Sequence, residues 1–233
     1  MKTPLVKVHE TAELLLENAV SDFLSLLQSQ PEDSPNLSVV LTGGSLGIGF
    51  LSELSRRQAD LSRVDFIFGD ERFVALDNAE RNEHQGIMAF TALENLRLRR
   101  YPSPPASLNE ARDALNEALE ASYGPIQGNT DVFDLVLLGV GPDGHVASLF
   151  PGHTGQGDWV VSEDNSPKPP SQRLSLSYKA LNRSKQVWFL ASGEAKANVV
   201  GQALQEGCSL PLAKVEGTSQ TVWYLDKELS DAL

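Results

Sequence analysis

The stretch VVLTGGSLGIGF, residues 39–50, runs from a continuous apolar segment through a glycine-rich turn into a helical pattern. Its apolar part does not alternate with polar residues, so it reads as a strand buried on both faces. LVKV, LSVVL, DFIF, FDLVLLGV, QVWFLA and TVWYL are further short apolar runs, most of which read the same way. Helical patterns lie between these runs. Thr11 is placed to cap a helix whose apolar face carries Leu15, Ala19, Val20, Phe23 and Leu27. Ser107 and Glu110 form a capping box ahead of ARDALNEALEAS. GEAKANVVGQALQE reads as a further helix, with Gly207 just past its end. Alternating strands and helices predict an α/β fold, a Rossmann-like, mostly parallel sheet with helices on both faces. A single domain over residues 1–233 is expected.

The composition, 41% hydrophobic and 21% charged, is that of a chain with a packed core. A net charge of −12 argues against nucleic-acid binding, which needs clustered Lys and Arg. It also repels an anionic substrate at long range, so any phosphate site must be built from local cations and backbone N–H groups. Cys208 is the only cysteine, which excludes an intrachain disulfide and suits a cytoplasmic setting. MKTPLVKVHE lacks the apolar core of a signal peptide, and no run approaches a membrane span. The expected assembly is a monomer or weak homodimer. SEDNSPKPPSQ, residues 162–172, reads as a mobile surface loop beside the site, and RRYPSPPAS as a turn-rich connection between two helices.

In parallel sheets ligands bind at the carboxyl ends of the strands. The loops that matter therefore read TGGS, GDER and GPDGH. Gly43 to Gly47 spells G-x-S-x-G, the pattern of a nucleophile elbow, and Ser45 finds triad partners in Asp134 or Asp143 with His145 or His153. Against this, no HGGG-type oxyanion motif is present, and the elbow comes very early in the chain. Gly139 to Gly144 spells G-x-G-x-x-G, with Glu163 and Asp164 downstream. The helix such a fingerprint requires is cut off here by Pro151 and Gly152. The third reading is a phosphate cradle of Gly43 and Gly44 N–H groups with the Ser45 hydroxyl, at a helix start. It lacks the Lys of a nucleoside-triphosphate loop. Arg72, Arg173 and Lys196 are the candidate cations, each near a strand end.

Taken together, LTGGSLG, FIFGDERFVALDNAERNEHQG, DLVLLGVGPDGHVASLFPGH, RLSLSYKALNRSKQVWFLASGEAK and GTSQTVWYLD resemble the glucosamine-6-phosphate isomerase/6-phosphogluconolactonase family. Its fold is shared with ribose-5-phosphate isomerase and CoA transferases. The first loop departs from the family's usual S-G-G-S-T-P, because Thr42 leads and Leu46 and Gly47 replace Thr and Pro. Ala75 stands where Pro is common. The resemblance implies hydrolysis of 6-phosphoglucono-1,5-lactone to 6-phosphogluconate in the oxidative pentose phosphate pathway, with no cofactor. The nearest rival is a sugar-phosphate deaminase or isomerase of the same fold, where DER typically reads D-E-Y. A different class is a non-catalytic sugar-phosphate sensor.

Lactone opening needs an activated water and a proton for the leaving ring oxygen. A histidine, which titrates near pH 6.5 as a free imidazole, can supply both. His145, just past the strongest predicted strand, is assigned that role, and Asp143 is placed to orient it or to bind a sugar hydroxyl. Gly43, Gly44, Ser45, Arg72, Arg173 and Lys196 are assigned to the phosphate, the two arginines through their fork-shaped donors. Asp70 and Glu71 are placed to bind hydroxyls or to pair with these cations. His9, His84 and His153 read as structural or peripheral. The four histidines and one cysteine show no metal-ligand spacing, so no metal is expected.

Overall fold

A computed structural model describes residues 3–128, 130–152, 155 and 157–233, and His153 falls outside them. In chain order the elements are β1 (Leu5–His9), α1 (Ala12–Gln28), β2 (Leu37–Leu41), α2 (Gly44–Arg56), β3 (Val64–Phe68), β4 (Asp70–Arg72), α3 (Asn82–Ala89), β5 (Arg97–Arg99), α4 (Leu108–Tyr123), β6 (Phe133–Gly139), β7 (Val160–Glu163), β8 (Arg173–Leu176), α5 (Tyr178–Leu181), β9 (Ser184–Ala191), α6 (Ala197–Ala203), β10 (Gln220–Asp226) and α7 (Lys227–Asp231).

A seven-stranded sheet runs β1-β10-β9-β6-β2-β3-β5, with every pairing parallel. All six predicted apolar runs are in it. Every residue of β2 is buried, as a strand covered on both faces requires. Helices flank the sheet, and one continuous apolar cluster extends from Leu15 to Leu229. α1 is capped by Thr11, whose hydroxyl accepts from Leu14 N–H, and buries Leu15, Ala19, Val20 and Phe23. The Ser107–Glu110 capping box starts α4. Among the described residues no helix is long and apolar enough to cross a membrane.

The strand order turns back between β2 and β6. From β2 the chain continues outward through β3 and β5, while β6 leads the other way to β9, β10 and β1. Such a reversal leaves a crevice at the carboxyl ends of the two central strands. Gly139 N–H, at the end of β6, donates to the Thr42 hydroxyl just beyond β2 at 3.1 Å. The TGGS and GPDGH loops therefore start side by side.

Four features differ from the sequence reading. First, β4, β8 and β7 form a separate antiparallel sheet, with Arg72 paired to Arg173 and Glu163 to Arg173. Gly69 is the hand-over point, because its N–H donates to Leu41 of the main sheet while its carbonyl accepts from Leu176 of the small one. Second, the helix expected over GEAKANVVGQALQE is a tight turn at Glu194–Lys196 followed by α6, which stops at Ala203, well before Gly207. Val199, Val200 and Gly201 are weak helix formers in its middle. Third, residues 162 and 163 are in β7, so the predicted loop shrinks to 164–172. Fourth, the RRYPSPPAS connection joins β5, not a helix, to α4.

Beneath β4 lies a buried charge cluster. Arg81 is fully buried and donates to Glu83 and to the carbonyls of Val74 and Tyr101. Glu71 accepts from the N–H groups of Arg72, Asn82 and Glu83 at 2.7–2.8 Å, so it holds the start of α3. Of its two expected roles, binding hydroxyls or pairing with a cation, the structure shows the pairing, with Arg81 at 3.7 Å. One guanidinium serves two buried carboxylates. Burial pushes Glu71 up to about 7, helped by repulsion from Glu83 and opposed by Arg81 and the backbone donors. Folding therefore favours the proton on Glu71. Its contribution to stability is complete below about pH 4.5 and is lost as pH rises through about 7. We expect the urea midpoint to decline over that interval and the decline to flatten in Glu71→Gln. An unchanged slope in the variant would show that Glu71 keeps its charge.

Candidate active site

The first loop starts where β2 ends. Gly43 is the N-cap of α2 in an extended conformation, and Gly44 follows at φ +74, a conformation that favours glycine. A Cβ on Gly43 would come within 2.1 Å of the Asn82 amide oxygen. No side chain caps α2, so its first N–H groups and its dipole face the cleft. The departure at Gly47 has a packing reason, because a Cβ there would stand 2.0 Å from the Thr42 carbonyl oxygen. Glycine lets the first turn of α2 rest on that carbonyl, and the cradle of Gly43, Gly44 and Ser45 is kept.

The second loop is β4. The Asp70 carboxylate accepts from the Ser148 hydroxyl at 2.6 Å, and its backbone carbonyl accepts from the Asn82 amide at 2.9 Å. Arg72 donates to the Glu80 carbonyl, which leaves only part of its fork for a ligand.

The third loop carries the histidine. Gly144, at φ +81, donates back to the Gly141 carbonyl at 3.0 Å and closes a tight turn. Gly141 N–H then donates to the His145 carbonyl at 2.9 Å. The His145 ring lies directly over Gly141, where a Cβ would be 2.1 Å from Nδ1. Its other side meets Phe150, with ring centroids 4.8 Å apart. Nδ1 makes a short hydrogen bond to the Asp143 carboxylate. A carboxylate acceptor places a proton on Nδ1, so Nε2 is the ring nitrogen not engaged by Asp143. Burial pushes the Asp143 carboxyl up, but the hydrogen bond and charge of His145 and the nearby backbone N–H groups outweigh it and hold it below its usual value.

The remaining cations come from the small sheet and from the turn after β9. Arg173 is 6% exposed. Its Nε and one terminal nitrogen donate to the carbonyls of Pro170 and Lys168 at 3.1 and 3.0 Å, and the other terminal nitrogen stands 3.9 Å from Asp70. The two-pronged phosphate grip expected from the sequence is thus half committed to holding the 164–172 loop. Lys196 is half-buried. Burial lowers its pKa, and Lys168 adds to the lowering while Asp226 opposes it.

One cleft of about 340 Å³ joins these loops. It brings together Gly43, Gly44 and Ser45 from the first loop, Asp70 and Arg72 from the second, His145 from the third, and Arg173 and Lys196. Asp143 reaches it through the imidazole. The sequence reading missed Lys168, Asn82 and Phe150, which also line it. Lys168 had a signal, a lysine between prolines in a loop already placed beside the site, whereas Asn82 and Phe150 had none. A larger cavity of about 520 Å³, bordered by α4 and β7, contains none of the predicted residues.

One of the elbow reading's alternatives drops out, while Ser45 and His145 share the cleft and Asp143 stays bonded to His145, and the dinucleotide reading lacks its helix. Asp134 sits at the opposite end of β6, bonded to Ser38 N–H and to Lys185, so it is no triad member. No helix follows GPDGH before β7 among the described residues.

Because His145 is stacked on a bare glycine, Gly141→Ala should push the ring aside without unfolding the chain. A misplacement of this size costs about 100-fold in rate. Circular dichroism and thermal unfolding should stay close to wild type while turnover falls. Full activity in this variant would show that the ring is not held by Gly141.

The sequence profile described as glucosamine-6-phosphate isomerases/6-phosphogluconolactonase matches residues 10–223. The chain is 36% identical over 236 residues to 6-phosphogluconolactonase of Mycobacterium leprae, covering 96% of each chain. It is 36% identical over 249 residues to that of Streptomyces coelicolor, covering 99% of this chain and 95% of the other. The crystal structure of 6-phosphogluconolactonase from Thermotoga maritima matches with a TM-score of 0.85 and 27% identity, over 96% of this chain and 100% of that one. With a profile match over nearly the whole sequence, relatives aligned end to end and the same fold in a solved relative, the chain belongs to the glucosamine-6-phosphate isomerase/6-phosphogluconolactonase family.

Proposed function

We propose that the chain hydrolyses 6-phosphoglucono-1,5-lactone to 6-phosphogluconate, the ester-opening step of the oxidative pentose phosphate pathway, by water that His145 activates. The observation that carries this reading is one cleft lined by two unlike sets of groups. A carboxylate-oriented imidazole opens onto the same space as an uncapped helix start and a group of cations. The names of the full-length relatives support the substrate.

In this reading the phosphate rests on the N–H groups of Gly43 and Gly44 and the Ser45 hydroxyl, with Lys196 and the free edge of Arg173 nearby. The lactone carbonyl then lies toward His145. Nε2 takes a proton from water as the water oxygen adds to C1. Asp143 stabilises the imidazolium that forms. When the C1–ring-oxygen bond breaks, the imidazolium returns the proton to the leaving oxygen. The new acid ionises to solvent. A lactone is activated enough that no covalent acyl-enzyme is required, and the redox-neutral reaction calls for no cofactor. Asp70 is placed to accept from a sugar hydroxyl.

Acid release from freshly made lactone, followed in a weakly buffered stopped-flow assay, should scale with enzyme concentration above the spontaneous rate. His145→Ala should lose about two to four orders of magnitude of that excess, the usual scale for a general base, and still bind 6-phosphogluconate. Wild-type protein with no excess acid release, or with ammonia release from glucosamine 6-phosphate, would overturn the assignment. Ser45→Ala should chiefly raise KM. Loss as deep as in His145→Ala together with an acyl-enzyme mass would restore the nucleophile reading.

A further inference from the structure

The backbone is strained just past His145. Ala147, which lines the cleft, has φ +48, in the left-handed region that favours glycine. A residue with a side chain stays there only where its surroundings over-determine the backbone, and such positions cluster at functional sites. Here a tight turn imposes the conformation. Leu149 N–H donates to the Val146 carbonyl at 2.9 Å, and these two buried residues form an isolated bridge. Ala147 and Ser148 are the central residues of that turn. The Ala147 methyl faces Gly69, where a Cβ would stand 3.8 Å from it. What the strained backbone determines is the direction of Ser148.

Ser148 is 2% exposed, and both its donors reach the small sheet. Its N–H donates to the Ser175 hydroxyl at 3.2 Å, and its hydroxyl donates to Oδ2 of Asp70 at 2.6 Å. Asp70 and Ser175 stand directly opposite each other across β4 and β8. One residue of the His145 loop thus grips a cross-strand pair, its backbone on one member and its side chain on the other. The same Asp70 oxygen has a competing partner. A terminal nitrogen of Arg173 is 3.9 Å away, too far for a hydrogen bond but near enough to pair if the carboxylate turned. The Asn82 amide reaches the other oxygen only at 3.4 Å. The short bond from Ser148 is therefore what fixes the carboxylate. A carboxylate accepts at both oxygens and more than once at each, so Asp70 keeps capacity for a ligand hydroxyl while Ser148 holds it.

We propose that Ser148 is a positioning residue, aimed by the strained turn at Ala147, which holds the Asp70 carboxylate open to a sugar hydroxyl and keeps it from closing on Arg173. This rests on the lactonase reading of the cleft, with Asp70 as the acceptor for a substrate hydroxyl. The turn then has a purpose beyond connecting two segments. It fixes the strand that carries Asp70 to the loop that carries His145, so hydroxyl recognition and proton transfer share one frame. Without the Ser148 hydroxyl, Asp70 turns to the guanidinium and the hydroxyl loses its acceptor.

The test uses the whole protein and two lactones, 6-phosphoglucono-1,5-lactone and its unphosphorylated counterpart, glucono-1,5-lactone. Ser148→Ala should raise KM about 10-fold, the scale of one hydrogen bond to a charged group, with kcat within about threefold. The factor should be the same on both lactones, because the ring hydroxyls are common to them. Ser148→Thr, which keeps the hydroxyl, should recover most of the loss. In an Asp70→Ala background, Ser148→Ala should cost less than about twofold more, a coupling that a packing defect does not produce. Circular dichroism at the assay temperature checks that each variant is folded. Ser148→Cys, close to serine in size and a weak donor, replaces the alanine variant if that one unfolds, and its KM should also rise. A wild-type KM in a folded alanine or cysteine variant, a full further loss in the Asp70→Ala background, or a loss confined to the phosphorylated lactone would overturn the proposal. If the wild type opens neither lactone, the functional reading fails first, and calorimetric binding of 6-phosphogluconate decides the positioning role separately. Binding about 10-fold weaker in Ser148→Ala then upholds it, and equal binding overturns it.

Discussion

The hydrogen bond from Gly139 N–H to the Thr42 hydroxyl joins the carboxyl ends of β6 and β2 at the point where the strand order reverses. Nearly everything at the site depends on that junction. A parallel sheet sends every strand out at the same edge, and a reversal leaves the two central loops with no crossover helix between them. Here one loop becomes the start of α2, with its unfilled N–H groups, and the other becomes a tight turn ending in His145. The first glycine loop and His145 share a cleft because β2 and β6 are neighbours, although 97 residues separate Thr42 from Gly139.

Glycine makes the closeness tolerable. At Gly43 the missing side chain leaves room for Asn82, at Gly47 for the Thr42 carbonyl, and at Gly141 for the imidazole. In each case the space a Cβ would fill is already occupied by a group of the site or its support. The wall on the far side depends on a different interaction. Glu71 takes up three N–H groups at the start of α3, and fully buried Arg81 ties that carboxylate to the layer below. Asn82, fixed by that arrangement, reaches forward to the Asp70 backbone. A buried charge cluster that is costly by itself thus orders the cleft wall.

How much of this was legible in the sequence depended on the range of the interaction. Five of the main-sheet strands could be read because burial on both faces imposes a nearly continuous apolar run, whereas β1, LVKV, is an exposed edge strand. That His145 and the glycine loop meet at one cleft could be read because the loops at the carboxyl ends of parallel strands lie along one edge. The small sheet could not. β4 has three residues, too short for a periodic signal, and its partner β8 lies about 100 residues away. Arg173 was recognised as important, but its main role was hidden, since a guanidinium that binds carbonyls of its own loop leaves no trace in residue spacing. Lys168 escaped notice for a related reason, since it reaches the cleft from a loop that Arg173 holds by its backbone carbonyls. Leu46 and Gly47 looked like a loss in the first loop until the Thr42 carbonyl was seen to occupy the space.

The opposition between a strongly acidic chain and a basic cleft has a consequence for turnover. At physiological ionic strength charges are screened beyond about 8 Å, so an approaching phosphate feels the cleft lysines mainly once it is at the rim. The surrounding acidic surface is then a weak barrier to entry. Hydrolysis changes the balance inside the cleft, because the opened product bears a carboxylate that the lactone lacks. On the proposed binding mode that charge forms beside the Asp143 carboxylate, so the cleft attracts the phosphate of substrate and product alike and repels the end that has reacted, which favours release over inhibition by product.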